Sequence, residues 1–424
     1  MERFSEDLEA LTREVPLSRG LGRAYGDSAV PPPTQPVAAN TTLADRMLAF
    51  DPHSGVLRAE AGLALHDLNR LFLPRRFFVP VTPGTQFVTL GGMVASDVHG
   101  KNHHVEGCFG EHVLSLRLRL GSGEVVTCSR EAHPDLFRAT LGGMGLTGHI
   151  LEVTFRMAPV PSPWILQETV RLPDLDTLLD GLKEAAAGWP MTMAWIDCLK
   201  RGAAMGRGVL FRGRWAEPSE APPEPPRAKL RLRVPLMFPN WAMNNLTVRL
   251  FNSAVFYSQS ARLRQSIVPP EVFFYPLDAI RDWNRIYGPR GFTQHQSVIP
   301  VDAGRDGVRR LLSILTERGG ASFLCVLKDC GKEGVGMLSF PRPGISIAID
   351  LAIRPDTQAL IDRLNEVVIR EGGRIYLTKD AFTRPEHFRA MEPRILAWQA
   401  VREKYDPERR LRSAQSIRLL GDEP

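Results

Sequence analysis

The rhythm of apolar and polar positions changes partway along the chain. In "EHVLSLRLRL", Leu114, Leu116, Leu118 and Leu120 alternate with Ser115, Arg117 and Arg119, the period of two that sends one strand face into a core and the other to water. "GSGE" supplies a turn, and "HILEVTFRM" repeats the alternation through Leu151, Val153, Phe155 and Met157. Between them, "HPDLFRATLGGMGLTG" predicts a short helix stopped by Gly142 and Gly143, whose missing side chains permit a left-handed exit. Residues 1–158 thus predict an α+β unit of short strands joined by glycine-lined backbone.

From Pro159 the helices lengthen. "DTQALIDRLNEVVIREGG" predicts a helix capped by Asp356, with Leu360, Leu364, Val367 and Val368 as its apolar stripe and Gly372 and Gly373 as its stop. "SFLCVLK", "ISIAIDLAI" and "RIYLTK" predict strands. "AEPSEAPPEPPRAK" predicts a mobile excursion, because proline removes donors that regular structure needs. No repeat of fixed period is present.

A chain of 424 residues exceeds what one core normally organises, so two domains, or one with an inserted second, are expected. With 43% apolar and 24% charged residues it has the balance of a soluble globular protein. Cys108, Cys128, Cys198, Cys325 and Cys330 are odd in number and lack CxxC spacing, which fits a reducing compartment. "MERFSEDLEALTREVPLSRG" has acids where a signal peptide needs a basic start, and the chain has no transmembrane-length apolar run. A cytoplasmic location, or a peripheral one at the cell membrane, is therefore expected.

The net charge of +6 is unevenly spread. No acid stands between Glu224 and Glu271, while Arg227, Lys229, Arg231, Arg233, Arg249, Arg262 and Arg264 do, among Leu, Met, Phe and Trp. That mixture fits a surface meeting anionic lipid headgroups, or a partly disordered basic flap. No nucleic-acid-binding module accompanies it.

"GGMVASDVHGKNHHVEGCFGEH" crowds together His99, His103, His104, Cys108 and His112. As zinc ligands these would need a helix to align them, which Gly100, Gly107 and Gly110 oppose, so no metal is expected. The glycines suggest other chemistry. "SRGLGRAYGDSA", "VTPGTQFVTLGGMVASDVHG" and "GGMGLTGHI" bring main-chain N–H groups to places a ligand can approach closely, in turns suited to a pyrophosphate. None has the lysine of a P-loop or the strand–GxGxxG–helix order of a Rossmann crossover.

In this order the three segments resemble the FAD-binding domain of the vanillyl-alcohol oxidase and p-cresol methylhydroxylase superfamily. With "GFTQHQSVIP", "PLDAIRDWNRIYGP" and "GGRIYLTKD", the chain is similar to the decaprenylphosphoryl-β-D-ribose 2'-oxidase family from about Ser18 onward. The resemblance implies a two-part FAD-binding domain, residues 1–158 and 374–424. Residues 159–373 would be an inserted substrate domain on a large antiparallel sheet flanked by helices, with a mobile segment near 215–260. It implies FAD contacts at Ser18, Arg19, Gly20, Leu21, Gly22, Arg23, Ala24, Tyr25, Gly26, Asp27 and Ser28, at Gly84, and at Thr89, Leu90, Gly91 and Gly92. Further contacts are implied at Ser96, Asp97, Val98 and His99, and at Ile150 and Tyr376.

The chain departs from that pattern in its short lead, which lacks room for the usual first strand and puts folding and FAD affinity in question. It also has Ala348 where an active-site cysteine is expected, so thiol-directed inhibitors should fail. Histidine is absent from "GLGRAYGD", where relatives attach FAD covalently, so non-covalent FAD is expected.

On the substrate side the resemblance implies that Lys379 orients the sugar hydroxyl and stabilises reduced flavin; a surface lysine paired with Asp380 is the other reading. Lys328 is a candidate for the ribose or its phosphate, and Tyr376 for substrate contact. Gln294 and Gln296 share one strand face, with His295 opposite, and suit sugar hydroxyls; an exposed strand face is the alternative. His99 is the candidate proton acceptor, and Tyr25 is expected to close over the ring or to donate a hydrogen bond. The implied reaction is FAD-dependent oxidation of a secondary alcohol, the 2'-hydroxyl of a polyprenylphosphoryl-β-D-ribose, to a ketone. A short-chain dehydrogenase partner would then complete epimerisation to the arabinose form for cell-wall arabinan. Alternatives are an alditol or aldonolactone oxidase using oxygen, and a flavin-free binding protein on the same scaffold.

Overall fold

The alternating segments of the first third assemble in the computed structural model, which describes residues 1–226, 232–319 and 321–424, the side chains of 321 and 322 apart. Strands β1 (Met47–Asp51), β2 (Val56–Glu60), β3 (Val113–Arg119), β4 (Val125–Ser129) and β5 (His149–Arg156) form an antiparallel sheet in the order β1-β2-β5-β3-β4. Leu116, Leu118, Leu151, Val153 and Phe155 fill its core as the alternation predicts. Leu114 is exposed and Arg119 buried, because register shifts at both ends of β3 break the two-residue period. Helix α1 (Leu90–Ala95) packs on β5, and α2 (Pro134–Thr140) is the predicted short helix. Gly142 takes the left-handed conformation beyond it (φ +78°), while Gly143 does not.

The lead before the first glycine loop does form a strand, contrary to the expectation. Glu2–Phe4 pairs in parallel with Ala38–Asn40, and Ser18–Arg19 pairs on the other side of that strand.

The second half builds an eight-stranded antiparallel sheet. Its strands are β6 (Ile165–Leu172), β7 (Met191–Ile196), β8 (Gly208–Trp215), β9 (Arg264–Val268), β10 (Phe292–Pro300), β11 (Ala321–Cys330), β12 (Gly344–Ala352) and β13 (Arg374–Ile375), in the order β9-β6-β8-β7-β11-β12-β10-β13. Helices α3 (Leu175–Gly188), α5 (Gly304–Arg318) and α6 (Thr357–Arg370) cover one face, α4 (Asn245–Ser258) lying against β11. Cys325 and Leu327 of β11 and Ile347 and Ile349 of β12 enter that packed face with Leu360, Leu364 and Val368 of α6. The fold is thus α+β with the large antiparallel sheet expected.

Two local expectations need correction. Asp356 stands at the N-cap of α6 but its side chain makes no cap bond. "RIYLTK" is a strand only at Arg374–Ile375, since after a last bond from Tyr376 N–H to Gln296 O the Lys379 N–H turns back to Tyr376 O at 2.9 Å and closes a 3₁₀ turn, Leu377–Lys379. Within 215–260 the described residues include α4, opened by an Asn244–Thr247 capping box. Arg227, Lys229 and Arg231 lie outside the described residues.

The C-terminal residues return to the first sheet. Trp398, fully buried, donates from Nε1 to Ala139 O at 2.9 Å, and Arg402 and Asp422 form a buried ion pair at 2.7 Å. No described helix is long and apolar enough to cross a membrane, and all five cysteines are free and buried.

Candidate active site

The glycine segments converge because their bare backbones let neighbours approach. Gly20 lies so close to Thr89 that an added Cβ would sit 2.2 Å from Thr89 Oγ1, and one on Gly26 would fall 1.6 Å from Asp380 O. Ser18 Oγ bonds His149 Nδ1 at 2.7 Å, and Tyr25 N–H bonds Thr378 O at 3.0 Å. Arg418 joins Asp27 (2.7 Å) to Asp380 (2.8 Å). Gly142 and Met144 N–H groups bond Val94 O and Ala95 O, bringing the third segment against α1. One space is therefore bounded by Ser18–Ser28, Gly84–His99, Gly142–Ile150 and the turn at Lys379.

That space suits a dinucleotide. The main-chain N–H groups of Gly20, Leu21, Gly22, Arg23 and Ala24 have no acceptor among the described residues, leaving a run of donors for an anion. A Cβ on Gly84 would meet nothing within 4 Å, so the loop faces open space. Asp97 is held at φ +36° by bonds from Gly110 N–H (2.8 Å) and Ser339 Oγ. Such strain persists only when surroundings over-determine it; burial lifts the Asp97 carboxyl to about 6. Ser96 O accepts from Tyr376 Oη at 2.9 Å, and Thr89 caps α1, Val98 and Ile150 being buried nearby.

The clustered histidines diverge. His103 meets Cys108 and Gly331 N–H, His104 meets Trp189 O, and His112 meets Glu106. Among the described residues no group of three or more metal-ligating side chains is arranged to hold an ion. His99 alone turns toward the sheet, its Nε2 2.9 Å from Gln296 Nε2, while its Nδ1 is buried without a partner. Burial, then Lys328, His103 and Lys379, hold its pKa well below the usual imidazole value, so the ring is neutral. Its ring packs against Tyr376 and Phe340, centroids 5.0 and 5.2 Å away.

Cross-strand register assembles the other wall. Gln294 pairs with Asp350, Gln296 with Ala348, and Ser346 with Lys328, placing all six positions on one sheet face. Gln294 Nε2 donates to Asp350 Oδ1, and Gln296 Nε2 to Ser346 Oγ at 3.3 Å. Neither glutamine's carbonyl oxygen has a donor among the described residues, and neither is sealed from solvent. His295 points the other way, to Asn365 Oδ1 at 3.1 Å.

Lys379 lies with Nζ 3.6 Å from the Tyr25 ring centroid, and Tyr25 meets Phe292 edge-on at 5.2 Å. Lys379 is half-buried and makes no ion pair with Asp380, which Arg418 occupies. Desolvation, opposed by Asp350 and assisted by Lys328, lowers its pKa to about 8. Burial raises Asp350 to about 7, against its bond from Gln294 and the charge of Lys379. Burial also lowers Lys328 and pushes the Tyr25 phenol up.

Two members of this cluster, Lys101 and Asp350, went unread in the sequence. Lys101 donates to Phe273 O (2.7 Å) and Phe274 O (3.0 Å), and burial with Lys328 lowers its pKa to about 7. Its signal was a cation directly after the glycine of "DVHG"; that of Asp350 was a single carboxylate inside "ISIAIDLA".

A model of the FAD binding domain matches residues 10–129. The chain is 34% identical over 95% of its length to decaprenylphosphoryl-β-D-ribose oxidase of Mycolicibacterium smegmatis, covering 88% of that protein. It is 32% identical over 81% of its length to an uncharacterized protein in the mprA 5' region of Streptomyces coelicolor, covering 96% of it. D-arabinono-1,4-lactone oxidase of Yarrowia lipolytica is 27% identical over 32% of this chain and 26% of its own.

Proposed function

The chain belongs to the decaprenylphosphoryl-β-D-ribose oxidase family, and on that premise we propose that it oxidises the 2'-hydroxyl of a polyprenylphosphoryl-β-D-ribose to a ketone. It is an FAD-dependent oxidoreductase acting on CH–OH groups. What supports the substrate reading is the placement of Gln294, Gln296 and Lys328 on one sheet face, with Lys379 in a neighbouring turn over the ring of Tyr25 from the first glycine loop.

FAD, when bound, supplies the two-electron acceptor. Ser18–Ser28, Gly84, Thr89–Gly92, Ser96–His99, Ile150 and Tyr376 hold it, the free N–H run at Gly20–Ala24 taking the pyrophosphate. Both nitrogens of His149, the imidazole touching that loop, are already bonded, and with no histidine in the loop the flavin dissociates on acid precipitation.

The carbonyl oxygens of Gln294 and Gln296 accept from sugar hydroxyls, and Lys328 with Lys101 attracts the phosphate. Lys379 orients the reacting hydroxyl and takes its proton, its pKa of about 8 leaving a useful neutral fraction near pH 7. Tyr25 keeps Lys379 over its ring and sheltered from bulk water. With Nε2 accepting from Gln296, neutral His99 carries its proton on Nδ1 and offers that N–H as a hydrogen-bond donor. A keto product needs reduction from the opposite face to give the arabinose form, which fits a short-chain dehydrogenase partner, and a lipid carrier fits work at a membrane's edge.

Anaerobic mixing with polyprenylphosphoryl ribose tests the reading: the flavin should bleach, whereas unbleached flavin with bound ligand would refute it. The partial match to lactone oxidases supports a second reading, oxidation of free alditols or aldonolactones by oxygen, which predicts steady peroxide formation without lipid.

A further inference from the structure

The active site leaves the acid-free stretch unexplained. Helix α4 buries Val248, Asn252 and Phe256, yet its outer face carries Leu246 (67% exposed), Leu250 (64%) and Tyr257 (64%). These positions return to one side of a helix. Just before it, Leu236 and Trp241 are 73% and 75% exposed. An amphipathic helix on a free-standing surface would turn polar groups outward, so an apolar outer face needs a partner.

Charge narrows the choice. Arg249, Arg262 and Arg264 make no ion pair among the described residues, and no acid lies between Glu224 and Glu271. Only Arg233 in this stretch has a described carboxylate, Asp282. A second copy meeting this face through a twofold axis would oppose arginine to arginine. A nucleic acid would satisfy the arginines but not the leucines.

A cleft of about 710 Å³ opens at Trp241 and runs between Tyr287 and Ile353, with Arg290 and Arg354 on its walls. Its inner end touches the site. Tyr287 Oη donates to Asp350 Oδ2 at 3.4 Å, its ring stacks on Phe292 at 4.5 Å, and Phe292 meets Tyr25.

We propose that the face formed by residues 232–241 and α4 docks on an anionic lipid bilayer, with the cleft under Trp241 as the passage for the apolar tail of a lipid-linked substrate. The role of the cleft rests on the substrate reading above; the docking of the face does not. Apolar side chains enter the headgroup boundary while the arginines meet lipid phosphates.

The test is flotation of the FAD-loaded full chain with phosphatidylcholine vesicles, with and without phosphatidylglycerol, and no sugar present. Phosphatidylglycerol should raise the bound fraction about tenfold, since each basic residue near an anionic surface adds to binding. The pair Leu246→Ser with Leu250→Ser should lose roughly tenfold or more. Arg249→Glu should lose binding on anionic vesicles, while Leu396→Ser, on another exposed helix, should float as the parent does. Retained flavin absorbance verifies that each variant is folded. Flotation indifferent to phosphatidylglycerol, or unchanged in the leucine pair, overturns the proposal, as does a dimer that the leucine pair splits without any vesicle binding. Because sugar is absent, this result is independent of the flavin-bleaching experiment.

Discussion

The two faces of strand β10 bury their polar groups almost equally and treat them in opposite ways. On one, His295 bonds Asn365, which donates in turn to Thr383 at 3.0 Å, under the apolar cover of α6. On the other, Gln294 and Gln296 sit beside Asp350, Lys328 and Lys379, charges with fewer partners than burial normally demands. Polar groups satisfied within the fold hold it together; groups kept short of partners are available to a ligand.

The sharpest way to break this comparison is Lys379→Ala. It should lower kcat by about a thousandfold, the scale of a lost proton-transfer group, while the protein stays yellow; substantial turnover would remove Lys379 from the chemistry. Asp350→Asn acts through Lys379. The carboxylate raises the lysine's pKa, so its loss should move the alkaline-rising limb of kcat/KM to lower pH, by roughly a unit or less. An unmoved limb would detach Asp350 from the site.

His295→Ala belongs to the other face and should leave kcat near the parent value while costing about 1–3 kcal/mol in denaturant unfolding, because Asn365 loses a buried partner. Burial depresses His295 from 6.5 to about 4. Below 6.5 the unfolded chain therefore binds the extra proton, and stability present above that pH drains away as pH falls toward 4. The variant should lose that part of the slope, measured from unfolding midpoints across the interval. The smallest change is a label. Ala348→Cys, on the half-buried ligand face, should react with a maleimide, whereas Ile347→Cys, fully buried on the packed face, and the buried native cysteines should not. Equal labelling of both would mean that the faces do not differ in access.

The pairing of Gln294 with Gln296 against His295 was legible, because two-residue periodicity is local. So were the short strands and α6. The first strand was missed because Glu2–Phe4 forms only by parallel pairing with Ala38–Asn40, a partner distant in sequence. The break in β3 was equally hidden, since a register shift belongs to the pair and not to the strand. Lys379 was found through resemblance, and its position in a turn instead of a strand came from the bond of its own N–H back to Tyr376 O.

By itself the sequence determined the strands that alternate strictly, the backbones bare enough for a dinucleotide to approach, and the family the chain resembles. These follow from side-chain period and the absence of Cβ atoms, both written residue by residue. Tertiary structure alone decided that Lys328 stands close enough to Lys101 and Lys379 to lower both, and that Lys379 and Asp350 face each other. Burial and charge proximity depend on what folds over a residue: register between β11 and β12 sets Lys328 and Asp350 on one face, and the turn Leu377–Lys379 and the segment after His99 supply Lys379 and Lys101.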